Sequence, residues 1–454
     1  MRFLLPPLVV LLLLLVDRPV RAQPGATPPA SQALSPGAPP APPWEPLPLG
    51  RTFGGGPPRP RDGALRVCSF EAPVCVHGEA ADGALAMEVL REAEESCRFL
   101  RLQARLPAPE GDSGGGSRAV DLYLQPLGGP RIRLGFEAPT RFPRDRAPSY
   151  ALLERRLTGC ARATAVHRAM AAAHLAAVDG GEAGSSFATT SAYLAMAATG
   201  CHGEALAALD DAQARPSRPL LEPGAPDGEA SPLLWWWLDS TLGESTPGAL
   251  LTGLWYYSAQ STRLDMPRFQ NVPDLITVLK RLALARKTTA DALLLELAVA
   301  RAFLGERDDG QHFAEAAWLG SVGRVRFEAS WPHRSLPRRL AFTPLDPTGM
   351  VYSWVDLAGP SPPRKLGFHA SWEHPVTMRW ALVRVASDGQ EISRMVLPHR
   401  RGVFEVDAIV EELETTAGLM IVGVNNGETS LDEPLRLDEA PYEPHGGTFH
   451  VFVP

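Results

Sequence analysis

The spacing of hydrophobic residues changes once along this 454-residue chain, and that change limits the folds open to it. From about residue 149 to residue 305, apolar side chains recur at helical spacing in Ala- and Leu-rich runs such as 152–177, 187–198 and 233–238. After about Gly320 they alternate or cluster in short runs, at 325–329, 378–385, 419–424 and 448–452. Turn signals such as Ser387-Asp388-Gly389 and Asn425-Asn426-Gly427 separate these runs, as in an antiparallel sandwich. Ahead of the helices, 74–77 and 119–124 read as strands around a helix over 82–100, with Leu85, Val89, Ala93 and Cys97 on one face. The expected class is α+β: a mainly helical domain with a small α/β opening over 66–318, then a C-terminal antiparallel β-sandwich over 322–454.

The start of the chain has a different physical character. Met1-Arg2 precedes an apolar run over 3–16, and Val20-Arg21-Ala22 places small residues where a signal peptidase cuts. Residues 1–22 therefore read as a cleaved signal peptide, since the run is shorter than the roughly 20 residues that span a bilayer. Residues 23–62 form a Pro/Ala-rich linker, expected to be disordered because it lacks the apolar surface that would offset ordering. No later stretch is apolar enough to span, so no transmembrane segment is expected after signal cleavage. A net charge of −7 without a basic stripe argues against nucleic acid as a partner. Only Lys280, Lys287 and Lys365 stand among 44 basic side chains. That bias follows GC-rich codons, so the expected location is the periplasm or exterior of a high-GC Gram-negative bacterium.

Export makes disulfides the default use of the five cysteines. Cys160 starts one helix and Cys201 follows the end of the next, so antiparallel packing would bring them together. Cys97 is placed to reach Cys68 or Cys75, which leaves one thiol over. None of the five has zinc-finger spacing. Three adjacent aromatic residues, Trp235, Trp236 and Trp237, point three ways around a helix and suit a core better than a flat sugar platform.

The stretch with most chemical content is Thr164-Ala165-Val166-His167-Arg168-Ala169-Met170-Ala171, followed about twenty residues later by Phe187-Ala188-Thr189-Thr190-Ser191-Ala192-Tyr193. Together with the strand–helix–strand opening and the aromatic helix downstream, this layout resembles the gluzincin-type H-E-x-x-H zinc metallopeptidases over roughly residues 70–305. In that family one helix supplies two histidines and a catalytic glutamate, and the next supplies a third ligand. The resemblance puts His167 at the first ligand position, Arg168 at the base, Ala171 at the second ligand and Thr189 at the third. Zinc hydrolysis needs three ligands and a base beside the metal-bound water. Only His167 has the right chemistry, and His174 lies about 10 Å further along the helix axis. No catalytic residue, metal or cofactor is therefore expected. Glu182 reads as a solvated loop charge rather than a displaced ligand.

The expectation is an exported, non-catalytic protein on a metallopeptidase-like scaffold that has lost its zinc site. It would bind a protein or peptide ligand, or serve structurally, in the cell envelope or outside. The alternatives are an active secreted hydrolase with an unrecognised site, using residues such as Asp239, or a carbohydrate-binding envelope protein using Trp235–Trp237, Trp372 or Trp380.

Overall fold

The computed structural model describes residues 57–454 apart from 62, 112–117, 138–145, 223–227, 244–245, 260–272, 314–315, 400–401 and 429–442. The signal peptide expected over 1–22, and the linker expected over 23–62 up to residue 56, lie outside the described residues. All described residues belong to one compact unit, Pro46–Pro454.

The first layer is a mixed five-stranded sheet. β1 (Leu65–Cys68) pairs antiparallel with β2 (Val74–Gly78), which runs parallel to β3 (Val120–Gln125). β4 (Ile132–Phe136) forms the far edge, antiparallel to β5 (Ser149–Glu154), and β5 lies parallel to β3. The order is β1-β2-β3-β5-β4. Residues 149–154 were expected to belong to the helical region; they form the inner strand β5 instead. Its run is buried on both faces, and such a run has no alternation to set it apart from a buried helix.

Residues 57–61, within the segment expected as linker, pack on this sheet. The Arg59 guanidinium lies 2.6 Å from Asp121 and 2.8 Å from Glu137, and 4.4 Å above the Tyr150 ring. The Tyr150 hydroxyl donates to the Pro57 carbonyl at 2.6 Å. Asp121 also faces His77 Nε2 at 2.8 Å, so this polar cluster is held from both sides.

Eight α-helices occur among the described residues. α1 (Gly83–Leu102) connects β2 to β3 and buries Ala86, Val89, Leu90, Ala93, Cys97 and Leu100, an apolar stripe of helical period. α2 (Gly159–Ala176) packs against α1, β4, β5 and α3 (Gly184–Thr199), and every residue from Ala165 to Ala176 is buried. The helical lobe continues with α4 (Leu206–Ala214), α5 (Leu233–Leu242), α6 (Ala249–Ser258), α7 (Leu275–Ala285) and α8 (Ala290–Ala302). Asp274 and Thr289 cap α7 and α8, accepting the backbone N–H of Thr277 and Ala292.

Nine strands follow: β6 (Ala329–Pro332), β7 (Arg338–Leu345), β8 (Met350–Asp356), β9 (Leu366–Trp372), β10 (Val376–Val385), β11 (Glu391–Val396), β12 (Glu405–Val410), β13 (Gly418–Glu428) and β14 (His445–Phe452). They form two sheets, β11-β10-β13-β8-β6 and β12-β9-β14-β7. All pairs are antiparallel except β6 with β8. Phe342, Phe368, Trp380 and Phe449 meet in the core the two sheets share. Residues 325–329, expected as a strand, join β6 only at Ala329. Ahead of it Arg326 and Glu328 donate their N–H groups to the Gln213 and Tyr352 carbonyls, so the segment bonds a helix end and a strand instead of forming a ladder of its own.

Cys160 and Cys201 are bridged, with Cα atoms 5.6 Å apart. The pairing expected for Cys97 requires correction: Cys68 and Cys75 bridge each other, and Cys97 is free and buried. The cause is register, since Cys68 and Cys75 are direct partners across the β1–β2 pair, whereas Cys97 faces the core from α1. Burial pushes the Cys97 thiol up to about 11, although Arg101 acts in the opposite direction. Thiol titration should therefore find one group per chain after denaturation without reductant and none in the native protein; three or more after denaturation would show that at least one of the two bridges is absent. Replacing Cys160 and Cys201 by serine should lower unfolding stability by about 4 kcal/mol in the chain-entropy account of a loop this long, as read by urea titration.

Candidate functional site

Small side chains bring α2 and α3 together. Gly159, at φ +52°, turns the chain into α2, and the alanines along α2 allow α3 to lie close along it. The four motif positions fall on this helix pair, and their side chains go to different places. His167 is 6% exposed, and its Nδ1 has no hydrogen-bond partner among the described residues. Arg168 donates from Nη2 to the Gly228 carbonyl at 2.7 Å and places Nη1 3.7 Å from Glu229. Ala171 is fully buried. Thr189 donates to the Ser185 carbonyl at 2.8 Å and accepts the indole N–H of Trp235 at 2.8 Å. A hydroxyl engaged as both donor and acceptor is a structural link between α3 and α5.

His174, in the last turn of α2, is fully buried, with Nδ1 2.6 Å from the Pro107 carbonyl. Glu182 corrects its expectation as a solvated charge. It is 1% exposed, and its carboxylate accepts the backbone N–H groups of Ala183 and Leu275 and the Ser186 hydroxyl. It joins the start of α3 to the start of α7, where helix N-termini favour an anion. Asp239 accepts the Tyr193 hydroxyl at 2.5 Å and the Gly248 N–H at 2.8 Å. Trp235, Trp236, Trp237 and Trp380 are buried, and Trp372 is partly buried, donating to the Val376 carbonyl. Among the described residues no three His, Cys, Asp or Glu side chains converge as metal ligands would.

A cavity of about 520 Å³ opens beside Thr189, between α3, α4, the start of α5 and the segment 215–222. A smaller one of about 30 Å³ adjoins it and is lined by Arg168, Thr164 and Cys201. Arg131, Glu204 and Glu229 border both, so the two form one groove beside the β4 edge of the sheet. Its charged side chains are scattered from residue 131 to residue 301, so no local motif marks them in the sequence. His167 and Ala171 line neither cavity; Arg168 and Thr189 are the motif positions that reach the groove.

No protein-family model matches the chain, and no curated protein matches its sequence. Among solved structures it is similar to the pre-peptidase C-terminal domain of a collagenase from Bacillus anthracis, at 10% identity and TM-score 0.18, covering 28% of this chain and 97% of that domain. It is also similar to the infectious bursal disease virus VP2 subviral particle, at 9% identity and TM-score 0.17, covering 26% of this chain and 32% of that one. A third match is the mitogen from Yersinia pseudotuberculosis, at 14% identity and TM-score 0.17, covering 26% of this chain and 88% of that one. At these scores the likeness carries no argument about this chain.

Burial pushes His167 and His174 down to about 4; for His174 the Pro107 carbonyl acts in the opposite direction and Arg101 adds to the fall. The unfolded chain protonates the same groups near 6.5, so between pH 6.5 and 4 the unfolded state binds more protons. Stability should therefore fall as pH falls through that window, by up to about 1.4 kcal/mol per pH unit for each histidine. His312 has the opposite sign. Burial works against its charge, but hydrogen bonds to Glu391 and Asp309 hold its pKa up, so its contribution is complete below 6.5 and is lost only at higher pH. Urea midpoints measured from pH 6.5 to 4.5 should show a shallower slope for His167→Leu than for the parent chain. An unchanged slope would show that His167 titrates alike in the folded and unfolded chains.

Proposed function

We propose that this chain is an exported, non-catalytic protein in which a zinc-peptidase-like helical layer carries a peptide- or protein-binding groove, and in which the C-terminal sheets form a β-sandwich that braces that layer. The observation that carries this reading is the chemistry at the four motif positions. A buried histidine, an arginine tied to Gly228 and Glu229, an alanine, and a threonine bonded to Trp235 stand where a working centre needs three ligands and a base. The α/β opening followed by the paired helices α2 and α3 supports the layout. Two disulfides support export, and among the described residues no helix is long and apolar enough to cross a membrane.

The groove supports an extended ligand. Among the described residues β4 is the last strand of its sheet, and the backbone groups of an edge strand can pair with an added strand. Arg131, immediately before β4, lines both cavities, so a strand added there would run past their mouths. On this reading the exported protein, purified without chelator, contains far less than one zinc per chain by elemental mass spectrometry and leaves a fluorogenic peptide library uncut. One zinc per chain, with proteolysis abolished by His167→Ala, would overturn it and make the protein a hydrolase.

A further inference from the structure

Among the described residues, the groove formed by the two cavities is lined by five arginines, Arg131, Arg168, Arg215, Arg218 and Arg301, against four carboxylates, Glu204, Asp211, Glu222 and Glu229. Arg131 pairs with Glu204, Arg215 with Asp211 and Arg218 with Glu222, while Glu229 lies opposite Arg168. The remaining charge is Arg301 on α8, which borders the cavity and is 2% exposed. Its Nε donates to Gln213 Oε1 at 2.8 Å, its Nη2 to the Ala212 carbonyl at 2.8 Å, and its Nη1 lies 3.2 Å from Met350 Sδ. Gln213 is fixed in that orientation because its amide nitrogen donates to the Arg301 and Gly323 carbonyls. A guanidinium has five N–H donors and stays charged in proteins. Here three acceptors serve it, all neutral and one a weakly accepting thioether, and among the described residues no carboxylate lies within ion-pairing distance. Burying a charge against neutral partners is costly unless an anion completes the site.

We infer that this cavity seats a carboxylate, the C-terminal carboxylate of a bound peptide, against Arg301; the inference deepens the peptide-binding reading above and rests on it. The charge count selects the chemistry. Over the whole groove one positive charge is left over, which matches a monoanion, whereas a dianion such as phosphate would leave the paired groove negative. The planar guanidinium fork also matches a carboxylate in two parallel hydrogen bonds. A cavity of about 520 Å³ is within the range of pockets that enclose small ligands, so it has room for a chain end.

The test uses N-acetylated random heptapeptides made without Asp or Glu, so that the chain end is their one carboxylate. One pool is prepared as free acids and the other as C-terminal amides. Equilibrium dialysis against the exported protein, read by mass spectrometry, should retain the free-acid pool at least tenfold more than the amide pool. Arg301→Met keeps the length of the side chain and removes the charge, and should bring the free-acid pool down to the level of the amides. A free-acid preference that survives Arg301→Met would overturn the assignment to this residue. Equal retention of both pools by the unsubstituted protein would overturn the carboxylate while leaving peptide binding in place, and this comparison stands even where the variant fails to fold. Retention of neither pool would remove the peptide-binding reading, and the carboxylate with it.

Discussion

One sheet buried on both faces ties the chain together. In the sheet β11-β10-β13-β8-β6, successive residues point to different cores. Trp380, Leu382, Leu419, Ile421, Val351 and Val355 face the second sheet, while Ala381, Val383, Met420, Val422, Met350 and Tyr352 join the core of the helical lobe. The Tyr352 hydroxyl donates to the Ala298 carbonyl of α8, which fixes the helix against the strand. At the edge of this contact, Arg394 on β11 reaches Glu296 on α8 at 2.6 Å, and His312, stacked on Phe303, lies 2.8 Å from Glu391. Neither core can lose this sheet without exposing apolar surface, which costs roughly 25 cal/mol per Å² uncovered. Gly423 illustrates how tight the shared layer is: a Cβ there would lie 2.6 Å from the Trp380 ring.

The sequence announces this sheet in a way that is easy to underuse. Residues 378–385 and 419–424 are apolar at nearly successive positions, and a strand with one wet face would alternate. The short strands after Gly320 are legible because turn residues and changes of period bound them. The helical lobe is legible from its Ala- and Leu-rich runs. What escapes is decided by pairing across distance: β5 has the composition of the helices that follow it, and β4 is a five-residue edge strand given meaning only by its neighbour. The cysteines divide the same way. Cys160 and Cys201 follow from the direction of two helices, but Cys68 and Cys75 required the register of an antiparallel pair.

The candidate site is legible only in its local part. His167, Arg168, Ala171 and Thr189 occupy positions that spacing along α2 and α3 can point to. The groove beside them draws Arg131 from the start of β4, Glu204 from the turn before α4, Glu229 from the approach to α5 and Arg301 from α8. These residues carry no joint periodicity, so nothing short of the folded chain groups them. Arg301 is the extreme case. In sequence it is one arginine in the last turn of a helix, where cations are common because they suit the helix dipole. Only burial and the neutral character of its partners set it apart.

On the proposed reading, the absence of zinc ligands changes what α2 must accommodate. A metal centre keeps polar side chains inside a protein because the ion neutralises them and fixes their orientation. Without one, each position has to be solvated by the protein or made apolar. Ala171 is apolar, and Thr189 is absorbed by Ser185 and Trp235. Arg168 is drawn toward Gly228 and Glu229 at the groove. His167 is the position left over, neutral and with Nδ1 unsatisfied among the described residues. A buried imidazole of this kind carries a desolvation penalty of about 1–3 kcal/mol, modest beside the packing of a helix buried from Ala165 to Ala176. The fold can therefore keep His167 without a metal, because the helix is held by its packed neighbours.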